Sequence, residues 1–410
     1  MGMGSMTAID AEALGARAET MISALAPISS EPGRLVRLFL SPEHRRAADV
    51  TAQWMRDAGM QVSEDALGTL RGRIGEGRRL LIGSHLDSVI DAGNYDGPLG
   101  VIAGIIAVEH FKGRPPVPID VVAFGDEEGS RFPSTLSTSA ASAGVFEDET
   151  LALTDRNGVT YADALRKYGK NPADLPKAAY AREEAAAYVE LHIEQGPRLE
   201  AANEPLGVVT GIVGQSRWRV IVIGTAGHAG TVPMALRRDA LAGSAEMMLA
   251  AERIGRAHDG MVATVGIVDA KPGAGNIIPG RVMFTVDLRC MDDATRKAAV
   301  AKFEDEARAI AAARKLDVVF EHFHDVSAMV CDAGLQDTLT AAIGDLGHKA
   351  IHMPSGAGHD AQMMAKLCPA AMMFVRCRDG ISHNPAEYTS PRDMGTAIAA
   401  MIRFIERFKI

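Results

Sequence analysis

Several short stretches of this chain set imidazoles beside carboxylates. His85-x-Asp87 is followed by Asp96-Gly97, Glu127 and Glu128 are adjacent, and His192 and His383 arrive separately much later. Imidazole nitrogens and carboxylate oxygens are the donors of divalent-cation sites, and carboxylates crowded into a cleft repel one another unless a cation lies between them. A further carboxylate beside such a centre can carry a proton to or from a reacting group. Taken singly, a His near two Asp residues is as often an ordinary polar loop or a hydrogen-bonded core His, so the pattern gains force from how its members are delivered.

Strand ends deliver them. Arg79 to Gly83 predicts a short buried strand, because a compact apolar run ending in Gly is the pattern of a parallel-sheet strand. Pro98 to Phe111 predicts a helix with Leu99, Val101, Ile102, Ile105, Ile106 and Val108 on a broad apolar face. His85, Asp87 and Asp96 then fall at a strand's carboxyl end and in the following loop, where open α/β sheets bind ligands. Ile119 to Phe124 (IDVVAF) predicts a second strand that delivers Asp126, Glu127 and Glu128. Tyr188 to Ile193, which alternates toward a strand and is broken by Gln195-Gly196-Pro197, brings His192 and Gln195. Ala371 to Val375 predicts the last buried strand, with His383 just past it. Donors from separate strand ends gathered on one rim describe a metal site.

The rest of the chain supplies the scaffold. At 410 residues it is too long for one core of ordinary size, so at least two domains are expected. Ala11–Leu25 predicts an amphipathic helix. Ser41-Pro42 opens another that carries Ala47, Val50, Trp54 and Ala58 on one face and ends at Gly59. Gln61–Asp65 and Arg71–Ile74 are candidate strands, and the element order fits an α/β layer with a mixed sheet. Asp155–Ala187 reads as polar, Ala-rich and mostly helical. Gly207–Gly214 reads as a strand leading to a hinge, Ala361–Leu367 as a Met-rich helix and Ser390–Phe408 as the closing helix.

A net charge of −9 argues against a nucleic-acid surface and gives no reason to invoke a membrane. No run reaches the 18 or so apolar residues of a membrane span. Met1–Met6 has neither a basic nor an apolar signal-peptide region, which makes a cytoplasmic protein the expectation. Cys290, Cys331, Cys368 and Cys377 lack CxxC spacing and read as reduced structural thiols.

From Arg217 the pattern changes to strand Trp218–Gly224, helix Asp239–Arg256, strands Met261–Val268 and Arg281–Arg289, helix Asp293–Lys315 and strand Val318–Phe323. This βαββαβ order predicts a complete small α+β domain of ferredoxin-like type inserted into the chain. Inside it, His228 lies in a Gly-rich turn, Asn276 in a loop between strands, and Arg289 two residues beyond Asp287. A helix cap, a turn support and a local ion pair are their ordinary readings, and each prevails when taken alone.

Taken in order, GNYDGPLG, EEGSRF, ELHIEQGP, SGAGHDA and SHNPAE, together with His85-x-Asp87, resemble the M20 metallopeptidase-like family. The finer pattern is similar to its hydantoinase/carbamoylase branch, which contains allantoate amidohydrolases, N-carbamoyl-L-amino acid hydrolases, ureidoglycolate amidohydrolases and β-ureidopropionases. The resemblance runs over nearly the whole chain from about Arg17.

It implies two divalent ions per subunit (manganese, zinc, cobalt or nickel) bridged by Asp96, with His85 and His192 on one and Glu128 and His383 on the other. Asp87 would orient His85. Glu127 would be the general base, taking a proton from the attacking water and passing it to the leaving nitrogen. Gln195, His228, Asn276 and Arg289 would meet the substrate, Arg289 through paired hydrogen bonds to its carboxylate. His228 and Asn276 would stabilise the oxyanion or orient the carboxylate, with His228 donated by a partner subunit.

The implied architecture is a catalytic metal-binding domain in two parts, 7–214 and 326–410, interrupted by a lid and dimerisation domain at 215–325, in a cytoplasmic homodimer. The implied reaction is cleavage of the terminal ureido C–N bond of a small carboxylate, allantoate first, releasing ammonia and carbon dioxide in the manner of purine catabolism. An N-carbamoyl-L-amino acid, ureidoglycolate or β-ureidopropionate is the alternative substrate. Peptidases of the wider family tend to carry a carboxylate where this chain has His192, which disfavours a dipeptidase or aminopeptidase.

Overall fold

In the computed structural model, which describes residues 9–410, two helices, α1 (Ala11–Leu25) and α2 (Pro42–Asp57), precede strands β1 (Gln61–Glu64), β2 (Leu70–Ile74) and β3 (Arg79–His85). The Met1–Met6 stretch lies outside the described residues. Helix α3 (Pro98–His110), β4 (Ile119–Phe124), α4 (Ser137–Ser142), α5 (Tyr161–Lys167), β5 (Ala185–Ile193), α6 (Arg198–Ala202) and β6 (Leu206–Ile212) follow. Contacts divide the chain into two compact units: the residues up to Thr210 with Cys331–Ile410, and Gly211–Val330.

The second unit contains β7 (Gly214–Ile223), β8 (Gly227–His228), α7 (Ala240–Arg256), β9 (Val262–Thr264), β10 (Val268–Lys271), β11 (Ile277–Ile278), β12 (Arg281–Cys290), α8 (Asp293–Ala313), β13 (Asp317–Val326) and β14 (Met329–Val330). The chain then returns to the first unit with α9 (Ala333–Gly344), β15 (Ile351–Ser355), α10 (Ala361–Met364), β16 (Ala370–Val375) and α11 (Pro391–Arg407).

In the first unit the sheet order is β1-β2-β4-β3-β5-β16-β6, with β15 also on β6. The β4-β3-β5-β16 centre is parallel, and β2 and β6 join it antiparallel, so the sheet is mixed. Every residue of β3, β4, β5 and β16 is buried. Side chains alternate between the two faces of a strand, so complete burial requires cover on both. This corrects the expectation of alternation in Tyr188–Ile193: β5 is central and buried on both faces, its polar Glu190 and His192 included. Helix α3 packs on β3, β4 and β5, and α11 packs on α1, α3, α9 and β16. Each large aliphatic of α3 that is fully buried contributes about 1.5–3 kcal/mol.

Other boundaries also shift. Strand β3 runs past Gly83 through Ser84 to His85, so His85 is its last residue. On α2, Ser41 caps the helix through the His44 N–H, but the buried face is Ala47, Ala48, Thr51, Ala52 and Met55, with Val50 and Trp54 only half-buried. The polar stretch before β5 holds only α5 and one 3₁₀ segment, Pro172–Ala178. Helix α10 stops at Met364.

In the second unit, β10-β12-β7-β13 form an antiparallel sheet with β9 also on β12. The expected strand Met261–Val268 is two strands, because the Ile267 N–H turns aside to bond the Thr285 hydroxyl between them. Helices α7 and α8 cover a core of Trp218, Met247, Phe284, Val286 and Phe303. The four cysteines are free thiols, all buried.

Candidate metal centre

His85 sits at the end of β3, and the two residues after β4, Gly125 and Asp126, lead into Glu127 and Glu128. His192 is the penultimate residue of β5, which runs parallel to both β3 and β16. His383 is reached only after β16 and a 3₁₀ turn at Arg378–Gly380, in left-handed backbone at φ 54° and half-exposed, which corrects the expectation that it directly follows a strand.

The structure brings these residues together around Asp96. Its Oδ1 lies 3.0 Å from His192 Nε2 and 3.5 Å from His85 Nε2, and its Oδ2 lies 3.3 Å from His383 Nε2. His383 Nε2 is also 3.5 Å from Glu128 Oε2. Two groups of possible ligands result, His85–Asp96–His192 and Asp96–Glu128–His383, which share Asp96. Glu127 approaches His85 Nε2 at 4.0 Å and forms a further group with His85 and Glu128.

Gly97 makes the packing possible. It adopts φ +85°, and a Cβ there would lie 2.5 Å from two atoms of the His85 ring. Only the bare backbone lets the Asp96 loop cross under the imidazole.

Asp87 does more than face His85. Its Oδ1 accepts the Glu127 N–H at 3.1 Å and its Oδ2 the Glu128 N–H at 3.2 Å, while the His85 Nδ1 is 3.2 Å from the Asp87 carbonyl. One buried carboxylate thereby fixes the main chain that carries both glutamates.

The electrostatics demand positive charge. Burial works against ionisation of Asp96, but the charge and hydrogen bonds of His192, with those of His383 and His85, hold its carboxyl well below the usual range. Burial likewise opposes a charged His85, and the carboxylates of Asp87 and Asp96 that face it, with Glu127, overcome that and raise it well above the ordinary value. The hydrogen bond to Asp96 lifts His383 to about 9. Burial, with the Asp96 charge adding, pushes Glu128 up to about 7, and burial pushes Glu127 well above the carboxylate range despite the opposing His85 charge.

Protons held on these imidazoles occupy a field built for cations. His85 Nε2 is buried without a hydrogen-bond partner, and the nitrogen and oxygen donors match a pair of divalent ions. The residues present fit such a pair.

Gln195 joins this cluster. Its Nε2 donates to Asp96 Oδ2 at 2.8 Å, and its Oε1 is buried without a partner. Its backbone is left-handed at φ 57°. The second unit places the other expected residues differently. Strands β8 and β11 pair His228 with Ile277, and the Ala229 N–H bonds the Asn276 carbonyl, so His228 and Asn276 share one small ladder. Both are exposed, and the Gly230 N–H donates to His228 Nδ1. Arg289 lies toward the far end of β12 and forks onto Asp287 at 3.0 and 2.9 Å, with Arg217 on the same carboxylate at 2.8 Å.

Three residues of the site were not singled out from the sequence. His359, in SGAGHDA, packs edge-on against His192 at 4.4 Å between ring centroids and forms a fourth possible ligand group with Glu190 and His192. Glu190 accepts from Ser84, Tyr188 and the Ala361 N–H. Glu387, the last residue of SHNPAE, is hydrogen-bonded to the Asp96 loop. The signal for His359 and Glu387 was their place inside motifs already noted. Glu190 gave none, because a carboxylate within a buried strand looks like any polar interruption.

This chain belongs to peptidase family M20/M25/M40, whose family model matches residues 81–407. Its relatives make it a hydrolase acting on carbon–nitrogen bonds. It is 39% identical over 420 residues to allantoate deiminase 1 of Glycine max, covering 93% of this chain and 87% of that protein. It is 40% identical over 388 residues to the N-carbamoyl-L-amino acid amidohydrolase of Geobacillus stearothermophilus, covering 92% and 95%. The crystal structure of a hydantoinase/carbamoylase family amidase from Burkholderia multivorans matches with a TM-score of 0.89 at 33% identity, covering 95% of this chain and 97% of that one. Among the described residues no helix is long and apolar enough to cross a membrane.

Proposed function

We propose that this protein hydrolyses the terminal ureido C–N bond of a small carboxylate, allantoate first, and releases ammonia and carbon dioxide. The observation that carries the proposal is the pair of ligand groups sharing Asp96, with His192 in one of them, in a chain similar to both an allantoate deiminase and a carbamoyl amino acid amidohydrolase.

His85, Asp96 and His192 would hold one divalent ion, and Asp96, Glu128 and His383 the other. When bound, the pair supplies Lewis acidity, which polarises the ureido carbonyl and acidifies water. Glu127 takes the proton of the attacking water and returns it to the leaving nitrogen, a task suited to a carboxyl that burial has shifted upward. Asp87 keeps that carboxyl in place through the Glu127 N–H. Arg289 receives the substrate carboxylate beside Asp287, and His228 and Asn276 donate to the developing oxyanion. Gln195 contacts substrate through its Oε1, its amide nitrogen already engaged by Asp96.

The inserted unit, with its βαββαβ order, serves as a ferredoxin-like lid whose closure completes the site. It also forms the contact of a homodimer in which the partner donates His228. The catalytic unit spans residues 7–214 and 326–410, the lid 215–325. The protein works in the cytoplasm, free of nucleic acid and membrane.

Ammonia release from allantoate, from a panel of N-carbamoyl-L-amino acids and from dipeptides, measured in parallel with manganese-loaded protein, tests this. Fast release from allantoate is the expected result. Preference for a carbamoyl amino acid would keep the chemistry and replace the substrate. Dipeptide cleavage without ammonia would overturn the proposal.

A further inference from the structure

Glu387 closes the SHNPAE stretch and is only 4% exposed. A buried carboxylate is costly unless its oxygens are satisfied. Here both are. Oε1 accepts the Tyr95 N–H at 2.9 Å and the Asp96 N–H at 3.1 Å, while Oε2 accepts the Ser382 hydroxyl at 3.0 Å. The single proton of that hydroxyl is shared with Asp96 Oδ2, which lies 2.8 Å from the same oxygen. Gly93, at the head of GNYDG, leaves room for this approach, since a Cβ there would stand 2.3 Å from the Glu387 Cβ.

We infer that Glu387 is a positioning residue for the metal centre: it clamps the main chain at Tyr95 and Asp96 and, through Ser382, the Asp96 carboxylate itself. The inference rests on reading the cluster as a divalent-metal site. Its arrangement repeats that of Asp87, whose two oxygens hold the main chain of Glu127 and Glu128. Each half of the cluster therefore has its own buried carboxylate that binds backbone N–H groups rather than cations. Groups that orient ligands in this way typically influence metal affinity or activity by about 10–100-fold.

The test uses the full-length protein with Glu387→Ala, Glu387→Gln and Ser382→Ala. Amide exchange is read on metal-free protein, and manganese affinity and steady-state kinetics on loaded protein. Glu387→Ala is expected to speed exchange at Tyr95 and Asp96 by at least about 10-fold while exchange elsewhere is unchanged. It should weaken manganese binding by about 10–100-fold, and at saturating metal lower kcat with KM within about 2-fold. Glu387→Gln keeps an oxygen for the two N–H groups and should restore most of both, and Ser382→Ala should give a smaller loss of affinity.

Exchange at Tyr95 and Asp96 unchanged in Glu387→Ala, acceleration throughout the chain, or equal losses in the Gln and Ala variants would overturn the inference. Absence of manganese binding by the wild type would instead overturn the metal-centre reading, and the exchange result would still decide the role of Glu387.

Discussion

The buried cluster around Asp96 and the expected substrate residues of the inserted unit are built in opposite ways. Around Asp96 each donor is delivered by a strand end or a clamped loop, and Asp96, His85 and His192 are buried. Backbone bonds to Asp87 and Glu387 hold the main chain of Glu127, Glu128 and Asp96 before any ligand arrives. His228 and Asn276 are exposed on a two-strand ladder, and Arg289 is satisfied by Asp287. The difference teaches that preorganisation is invested where charge must be concentrated, whereas binding groups can wait for the ligand to engage them.

Substitutions should separate the two regions. Glu127→Gln is expected to retain two metal ions and lower kcat by about 10²–10⁴-fold, measured by ammonia release beside metal analysis; a similar rate to wild type would remove Glu127 as the base. Gly97→Ala forces a side chain into the His85 ring at a left-handed position. It should cost on the order of 1–3 kcal/mol and weaken metal binding, both visible in melting curves with and without manganese.

Metal affinity should also fall with acid. In the metal-free protein His383 titrates at about 9 and Glu128 at about 7. Both must lose protons to act as ligands, so apparent affinity drops as pH falls through that range and proton release accompanies binding. Calorimetry in buffers of different ionisation enthalpy would count those protons, and a count of zero at pH 7 would contradict the assignment of His383.

In the second unit, Arg289→Ala should raise KM for carboxylate substrates by about 10–100-fold, the loss of a charged hydrogen-bond pair, with kcat and metal content little altered. An unchanged KM would take Arg289 out of the pocket. The smallest effect is expected on stability: His228→Ala and Asn276→Ala, both exposed, should leave the unfolding free energy within about 0.5 kcal/mol. A larger drop would mean that the β8–β11 ladder depends on those side chains.

Much of this was legible beforehand because the central strands are short apolar runs with punctuated ends. Leu80, Leu81 and Ile82 announce β3, and the polar residues that follow have to lie at its rim. Periodicity said less where cover comes from both sides, as in β5, and where the helical face is made of small residues, as at Ala48 and Ala52 of α2. The strand break at Ile267 depends on a hydroxyl of a neighbouring strand, which no local pattern encodes. Asp87 was expected to orient His85, yet its grip on the Glu127 and Glu128 main chain, like that of Glu387 on Asp96, acts through N–H groups every residue possesses. Sequence patterns reveal donors by side-chain type, and clamps of this kind only by their folded geometry.

Counting metals tests the central claim most directly. Elemental analysis of manganese-saturated wild type, Asp96→Asn and the combined variant His228→Ala, Asn276→Ala, Arg289→Ala should give two ions per chain in the first and third and fewer than one in the second. Two ions retained by Asp96→Asn, or none in the wild type, would contradict a dinuclear centre built on the shared Asp96.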